Sequence, residues 1–591
     1  MADRIEKIIV GVDYGTTFTG ASFVSTQARG IDDIVLIHSW PGEAKHHEVV
    51  LKTPSRIAYD GAGNRRWGFQ VKPGMNSYSW TKLLLDTGSR LTNYDADLEG
   101  ATALGMFRLP EDKDAVEVAG DFLSGVYRHI LRCIAQQRTE EALSITPLEF
   151  WFTVPAIWSD EAKHATLEAA RCAGFGSRRG RVQDTICLIP EPEAAAIAVL
   201  RRATADGLGF LVKPDDGVLI CDCGGGTVDI TTYLVKEVWP TLKFEELCTG
   251  IGAKCGSTAI DRKFYNLMGR LFGKAFTDFP RSKTAPGSEF MNKFEVIKRD
   301  FGYDSENTTH ELSLNIKPVA PDPAYFNADE NVVVISDEDL RGFFDPVIEK
   351  ILALVHQQIN AANRQAGRDA INRIILVGGF GNSEYLRTAF RNSFDPAGNI
   401  AVTVPNNAQA AIVQGAALRG LEGLQALNRR CRRHYGFESI RPFRKGFDDE
   451  QNAFIHRYYG TKYVGGHMTW VVGKGQILGD NFTSDHRRYR TLDEDDDMSY
   501  FKTIYSCDSD IAPSRRDHDD VRKVGKVHID LEDVDITQFP WNDYMGERVY
   551  HVKYDWKMIF GAREGVLKFE AYVDGQAVGK TSIDFNKEPR W

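Results

Sequence analysis

"VGVDYGTTFTG", residues 10–20, follows the apolar Ile8 and Ile9 and sets an aspartate, glycines and threonines where a strand should turn. One reading is an ordinary turn. The other is a hairpin tip that holds an anion, because glycines let backbone N–H groups approach closely and hydroxyls add donors. The stretch alone leaves both open, so its partners elsewhere in the chain decide.

A second stretch repeats the plan. "VGVDYGTTFTGASFV" (10–24) and "LICDCGGGTVDITTYLV" (219–235) each run from an apolar strand to an aspartate, one further residue, small residues with threonine, and a second strand. Two such hairpins suit a cleft between two related lobes. Gly15, Thr16 and Thr17 would meet one side of a triphosphate, and Gly224, Gly225, Gly226 and Thr227 the other. Asp13 and Asp222 end their strands beside that point. Phosphate repels them, so they imply Mg²⁺, held largely through its waters.

A third loop, "ILVGGFGNSEYL" (375–386), follows a strand and opens a helix. Gly378, Gly379 and Gly381 beside a helix N-terminus suit a nucleotide's sugar or phosphate. Each feature keeps a plain rival. Asp13 and Asp222 could cap turns, Asp229 could be a turn aspartate, and "GIGAKCG" (250–256) matches no motif by itself.

The chain has 591 residues, 42% hydrophobic, enough for two to four domains. Its net charge of -10 argues against wholesale nucleic-acid or anionic-membrane binding. Nine scattered cysteines without a CxxC pair point to a reduced, intracellular protein. "MADRIEKIIV" lacks a secretory pattern, and "AAAIAVL" (194–200) is too short to span a bilayer. The expected place is the cytoplasm or nucleus.

Periodicity predicts helices over 114–137, 160–175, 294–302 and 339–362, with Ser159 as an N-cap. From about residue 430 helical patterns vanish, and stretches such as "KYVGGHMTWVVGKGQI" and "RVYHVKYDWKMIF" alternate like strands. The boundary falls near 425. The acidic run "LDEDDDM" (492–498) reads as a solvated loop, and His46 and His47 as surface residues.

Taken in order, these pieces resemble the nucleotide-binding domain of the heat-shock protein 70 (DnaK-type) family, within the actin and sugar-kinase superfamily. The resemblance rests on "VGVDYGTTFTG", "TPSRIAY", "WTKLLLD", "FWFTVPAIWSDEAKHATLEAARCAGF", "LIPEPEAAAIAVL", "LICDCGGGTVDIT", "FEVIKRDF", "IILVGGFGNSEYLRTAF" and "AAIVQGAALRGL", over about residues 6–425. It implies an α/β, two-lobed actin-like (ribonuclease-H-like) ATPase fold, with lobes 1–213 and 214–425, closing on ATP or ADP. A smaller all-β C-terminal domain, 426–591, would follow.

The resemblance also implies roles. Asp13 and Asp222 would sit by Mg²⁺ and its waters. Gly15, Thr16, Thr17, Gly224, Gly225, Gly226 and Thr227 would cradle phosphates, with Gly256 on the same side. The catalytic residues would be Lys82, Glu191, Asp222 and Thr227, with Lys82 reaching the γ-phosphate. Glu191 would help order the metal and the attacking water. Glu295, Lys298, Gly378, Gly379 and Phe380 would hold the adenosine. Read without the family, Lys82 is a solvated helix lysine and Glu191, between two prolines, ends a turn.

The resemblance weakens in places. The linker zone "LEGLQALNRRCRRHYGFE" (421–438) is basic and lacks the family's leucine-aspartate signature. No lid helix follows before Trp591, which points to the divergent, lidless group of the family. The family's adenosine-side serine corresponds to Gly302, and an aspartate after the last strand to Gln409.

The reading is an ATP-binding, slowly hydrolysing chaperone-like switch whose nucleotide state controls a protein or peptide partner of the β-domain. A co-chaperone or nucleotide-exchange partner would accompany it. Two alternatives stand beside it: a nucleotide-gated scaffold with little turnover, and a small-molecule kinase of the same superfamily.

Overall fold

Two hairpins of one design organise the first 426 residues. The structure, a computed structural model, describes residues 6–42, 49–60, 63–86, 108–205, 212–239, 241–303, 308–396, 400–424, 426–479, 482–559 and 568–582. His46 and His47 lie outside the described residues. The chain divides into two compact units, Met1–Ala426 and Leu427–Trp591.

In the first unit, β1 (Ile8–Tyr14) turns back on β2 (Phe18–Ser25), and β3 (Lys52–Pro54) pairs with β2. Helix α1 (Ala115–Arg138) follows. Next, β4 (Leu148–Val154) lies parallel to β1 on its other side. Helix α2 (Asp160–Cys172) begins where Ser159 Oγ accepts the Ala162 N–H at 3.1 Å, the expected cap. Strand β5 (Thr185–Pro190) is parallel to β4 and runs directly into α3 (Glu191–Ala205).

The second sheet repeats this order. Strands β6 (Gly217–Cys223) and β7 (Val228–Glu237) make the hairpin, and β8 (Lys243–Ala253) extends it. Helices α4 (Thr258–Phe272), α5 (Glu289–Asp300) and α6 (Asp337–Ala366) come next. A capping box between Ser336 and Asp339 starts α6, and Gly367 ends it. Strand β9 (Ile371–Val377) is parallel to β6, then come α7 (Glu384–Phe394), β10 (Ala401–Thr403) and α8 (Ala408–Glu422). The likeness between the two sequence stretches is therefore a likeness of sheet topology.

Helices α3 and α8 fill the space between the sheets. Their apolar residues share one core with Ile9, Val24 and Trp151 of the first sheet and with Val218, Ile220 and Ile375 of the second. Small residues permit the close crossing. A β-carbon on Gly415 of α8 would overlap the Ala194 carbonyl of α3, and one on Gly11 of β1 the Val413 carbonyl. Ser22 Oγ donates to that same carbonyl at 2.9 Å. A second core behind the other sheet is rich in phenylalanine, with Phe264 and Phe294 stacked at 3.9 Å.

In the second unit the described elements are strands and short 3-10 turns. One sheet runs Ala453–Ile455, Lys462–Val472, His434–Pro442, Ser499–Cys507, Val521–Asp530. The other runs Thr483–Leu492, Glu547–Ile559, Lys568–Val573, Gln576–Ser582. Phe437, Ile504 and Val527 of the first share a core with Val552, Trp556 and Phe569 of the second, so the sheets face each other. The acidic loop is more than solvated polarity: Asp493 and Asp496 both hold Arg457, the former at 2.6 Å. Among the described residues no helix is long and apolar enough to cross a membrane.

Candidate nucleotide site

The tips of the two hairpins face each other at the floor of a cleft of about 920 Å³. Of the residues assigned above to nucleotide or metal, all line this cleft except Gly256 and Gly381. Gly256 stands behind the second tip, where its N–H donates to the Gly226 carbonyl at 3.2 Å. A β-carbon there would sit 2.6 Å from the Gly224 oxygen. It supports the loop from behind and does not face the cleft.

The tips touch. A β-carbon on Gly225 would overlap Thr17 Oγ1, and one on Gly226 would overlap Thr16 Oγ1. Glycine is required here by the neighbour across the cleft, which the single sequence stretch could not reveal. The Gly224 N–H closes its own turn on the Thr227 carbonyl at 3.0 Å.

Lys82 lies in a short 3-10 helix, Thr81–Leu85, and is 3% exposed, so the reading of a solvated helix lysine fails. Its Nζ donates to Glu191 Oε1 at 2.6 Å and stands 5.3 Å from the Trp158 ring centroid. Glu191 is the first residue of α3, held there by the direct passage from β5. Burial pushes its pKa up, Lys82 opposes, and the charges of Asp13 and Asp229 add to the rise.

The two strand-end aspartates differ. Burial would raise Asp13, but the ammonium groups of Lys52 and Lys82 and bonds from Lys52 and Thr153 outweigh it and hold Asp13 below its usual value. Lys52 Nζ donates to Asp13 Oδ2 at 2.6 Å, and Thr153 Oγ1 to Oδ1 at 2.9 Å. Asp222 is pushed well up by burial and by the charges of Glu191, Asp229 and Asp13. Its Oδ1 is buried and has no hydrogen-bond partner among the described residues. Gly378, at φ +82°, lets the third loop pass this atom, because a β-carbon there would collide with Asp222 Oδ1.

An oxygen acceptor left buried without a donor fits a hard cation such as Mg²⁺. Among the described residues no three acidic, histidine or cysteine side chains form a protein-only metal cage. Mg²⁺ is commonly held by one or two carboxylates, water and phosphate. Asp222 fits that role directly, whereas both oxygens of Asp13 are already bonded.

Among the residues expected to hold adenosine, Lys298 is 6% exposed and bonds Asp261 at 2.8 Å and Glu295 at 2.6 Å. Its pKa is raised: burial opposes, and the two carboxylates prevail. Asp261 was absent from the sequence reading, as were Lys52 and Thr153. Arg299 bonds Glu295 at 2.8 Å and lies 4.9 Å from the Phe18 ring. Gly302, at φ +101°, packs on the backbone of Tyr385, where a β-carbon would come 2.7 Å from its nitrogen. A serine there would need α7 to move. Gln409 lines the cleft. Asp229 Oδ1 accepts the Ile157 N–H at 3.0 Å, tying the second hairpin to the loop after β4.

Comparison with known proteins agrees with this geometry. The family model described as "Hsp70 protein" matches residues 114–425, more than half of the chain. Heat shock 70 kDa protein 12B of Homo sapiens is 24% identical over 90% of this chain and 85% of its own length. Heat shock 70 kDa protein 12A of Mus musculus is 23% identical over 89% and 85%. Chaperone protein HscA homolog of Burkholderia ambifaria is 25% identical over 66% of this chain and 55% of its own length. With its two glycine hairpins meeting at one cleft and the family model spanning most of the unit that holds them, the chain belongs to the Hsp70 family.

Proposed function

We propose that the chain is an ATP-binding, slowly hydrolysing chaperone-like switch. Nucleotide in the cleft of the first unit would govern how the β-rich second unit holds a protein or peptide partner. The observation that carries the reading is the buried, unpartnered Asp222 Oδ1 at a cleft floor made of two glycine hairpins. The names of the relatives, heat shock 70 kDa protein 12B and chaperone protein HscA homolog, support the chaperone half.

In this reading the N–H groups of Gly15, Gly225 and Gly226 and the hydroxyls of Thr16, Thr17 and Thr227 bind phosphate oxygens. Lys82 brings positive charge to the γ-phosphoryl group. Glu191, bonded to Lys82, orients a water for in-line attack. The water oxygen bonds to phosphorus as the bond to the bridging oxygen breaks, releasing ADP and phosphate. Mg²⁺, held by Asp222 and through water by Asp13, would offset charge on the β and γ oxygens. A co-chaperone or exchange partner would act on the opening of the cleft.

One observation favours a second reading, a nucleotide-gated scaffold with little turnover. The protein's own Lys52 and Thr153 hold both oxygens of Asp13. Single-turnover hydrolysis by the full chain with Mg²⁺, for wild type, Lys82→Ala and Asp222→Ala, separates the two. Turnover that vanishes in Lys82→Ala while ATP still binds supports the switch. Tight wild-type binding without turnover supports the scaffold. No binding at all overturns both.

A further inference from the structure

Asp13, Gly20 and Lys52 form one row across three neighbouring strands. Asp13 stands opposite Gly20 in the β1–β2 pair, and Gly20 stands opposite Lys52 in the β2–β3 pair. Residues in such a row share one face of the sheet. Strands lie about 4.8 Å apart, so Asp13 and Lys52 begin roughly 10 Å from each other.

A bare middle position leaves a lysine stem an open path across that gap. Gly20 provides it: a β-carbon there would stand 3.1 Å from Lys52 Cγ and 3.5 Å from Cε. The stem lies over Gly20 and delivers Nζ to within 2.6 Å of Asp13 Oδ2. Lys52 lines the cleft and its side chain is 11% exposed.

The neighbouring ammonium groups are committed to other carboxylates, Lys82 to Glu191 and Lys298 to Asp261 and Glu295. Lys52 is the cation that meets Asp13, and its charge also acts on Asp222. Lys52 thus lines the same cleft as both aspartates assigned to the divalent ion. An ammonium has three donors, of which Asp13 takes one. The rest suit phosphate oxygens, which a lysine binds as a point charge.

We propose that Lys52 is a tethered counter-cation for the phosphate site, so that this cleft binds nucleoside di- or triphosphate with a weakened dependence on Mg²⁺. The inference rests on the nucleotide reading above. In the empty cleft Lys52 masks Asp13 from divalent cations. With nucleotide bound it shares Asp13 with a phosphate oxygen and supplies part of the charge that Mg²⁺ would otherwise carry alone.

The test uses the full chain and two readouts, neither of them turnover. Calorimetry measures ADP affinity in Mg²⁺ and in EDTA. Wild type and Lys52→Arg should lose less than about tenfold on metal removal, and Lys52→Met about a hundredfold, the size of a lost charge-assisted contact. Electron paramagnetic resonance then measures Mn²⁺ binding without nucleotide. Lys52→Met should bind Mn²⁺ at least about tenfold tighter than wild type, because Asp13 is unmasked. Gly20→Val, which crowds the stem and keeps the ammonium, should shift both readouts toward those of Lys52→Met. Equal Mg²⁺ dependence in wild type and Lys52→Met, or equal Mn²⁺ affinity, overturns this inference alone. No ADP binding by wild type in Mg²⁺ overturns it together with the nucleotide reading.

Discussion

Lys82 Nζ lies 2.6 Å from Glu191 Oε1, joining a short turn after the first hairpin to the first residue of α3 across 109 positions of sequence. Neither side chain is solvated, so each fixes the other's place at the cleft floor. Lys82→Met should slow single-turnover ATP hydrolysis by about 100- to 1000-fold while changing ATP affinity less than about tenfold, as removal of a transition-state contact does. Rapid-quench measurement at saturating ATP checks this. An unchanged rate would remove Lys82 from the chemistry.

The pH dependence of the nucleotide-free chain should carry the mark of Glu191. Burial pushes its pKa from 4.5 up to about 7. Between those values the folded chain holds a proton that the unfolded chain has lost. Stability therefore falls as pH rises through that window. Glu191→Gln cannot ionise and lacks that slope. The Tm of Glu191→Gln minus that of wild type should grow from pH 5 to pH 8. A difference that stays flat counts against the assignment.

The α3–α8 crossing should be intolerant of a single methyl group. Gly415→Ala would press a β-carbon into the Ala194 carbonyl, and the chain should lose about 3 kcal/mol in urea unfolding. Gly342 in α6 has nothing within 4 Å of the corresponding position. Gly342→Ala should instead gain about 0.5–1 kcal/mol from helix propensity. Equal effects at the two positions would contradict the packing described.

Removing Lys298 should leave Asp261 as a buried charge without its counter-ion. Lys298→Met is expected to cost about 3–5 kcal/mol, and Asp261→Asn in the same chain should recover much of it. Denaturant unfolding of both single variants and the double variant measures the coupling. Additive effects would mean that the pair is not a unit.

Local signals carried much of the fold. The hairpins, the Ser159 cap and most of the long helix α6 follow from apolar periodicity and capping chemistry, though the periodicity predicts α6 only to 362, short of its Gly367 cap. They are written within a few residues of where they act. The features that escaped reading are those whose partners lie far away in sequence. Lys52 became visible only once the register set it two strands from Asp13, although a glycine inside a strand, here Gly20, is a recognised sign of close approach. Gly225 and Gly226 looked like phosphate ligands alone, yet Thr17 and Thr16 also require them to be bare. Gly256 sits behind the loop for the same steric reason. Lys82 was legible only through the family, since its neighbours give no hint that it is buried.

The bond from Ser22 to the Val413 carbonyl spans 391 residues. At a synthesis rate of about 5–20 residues per second, the ribosome needs roughly 20–80 s to deliver α8 after β2 has emerged. Until then Ile9, Val24 and Trp151 lack the helix that completes their core. The nascent chain thus waits with an open apolar sheet for most of its own translation, and a stall or premature stop before residue 408 yields a fragment that cannot close it.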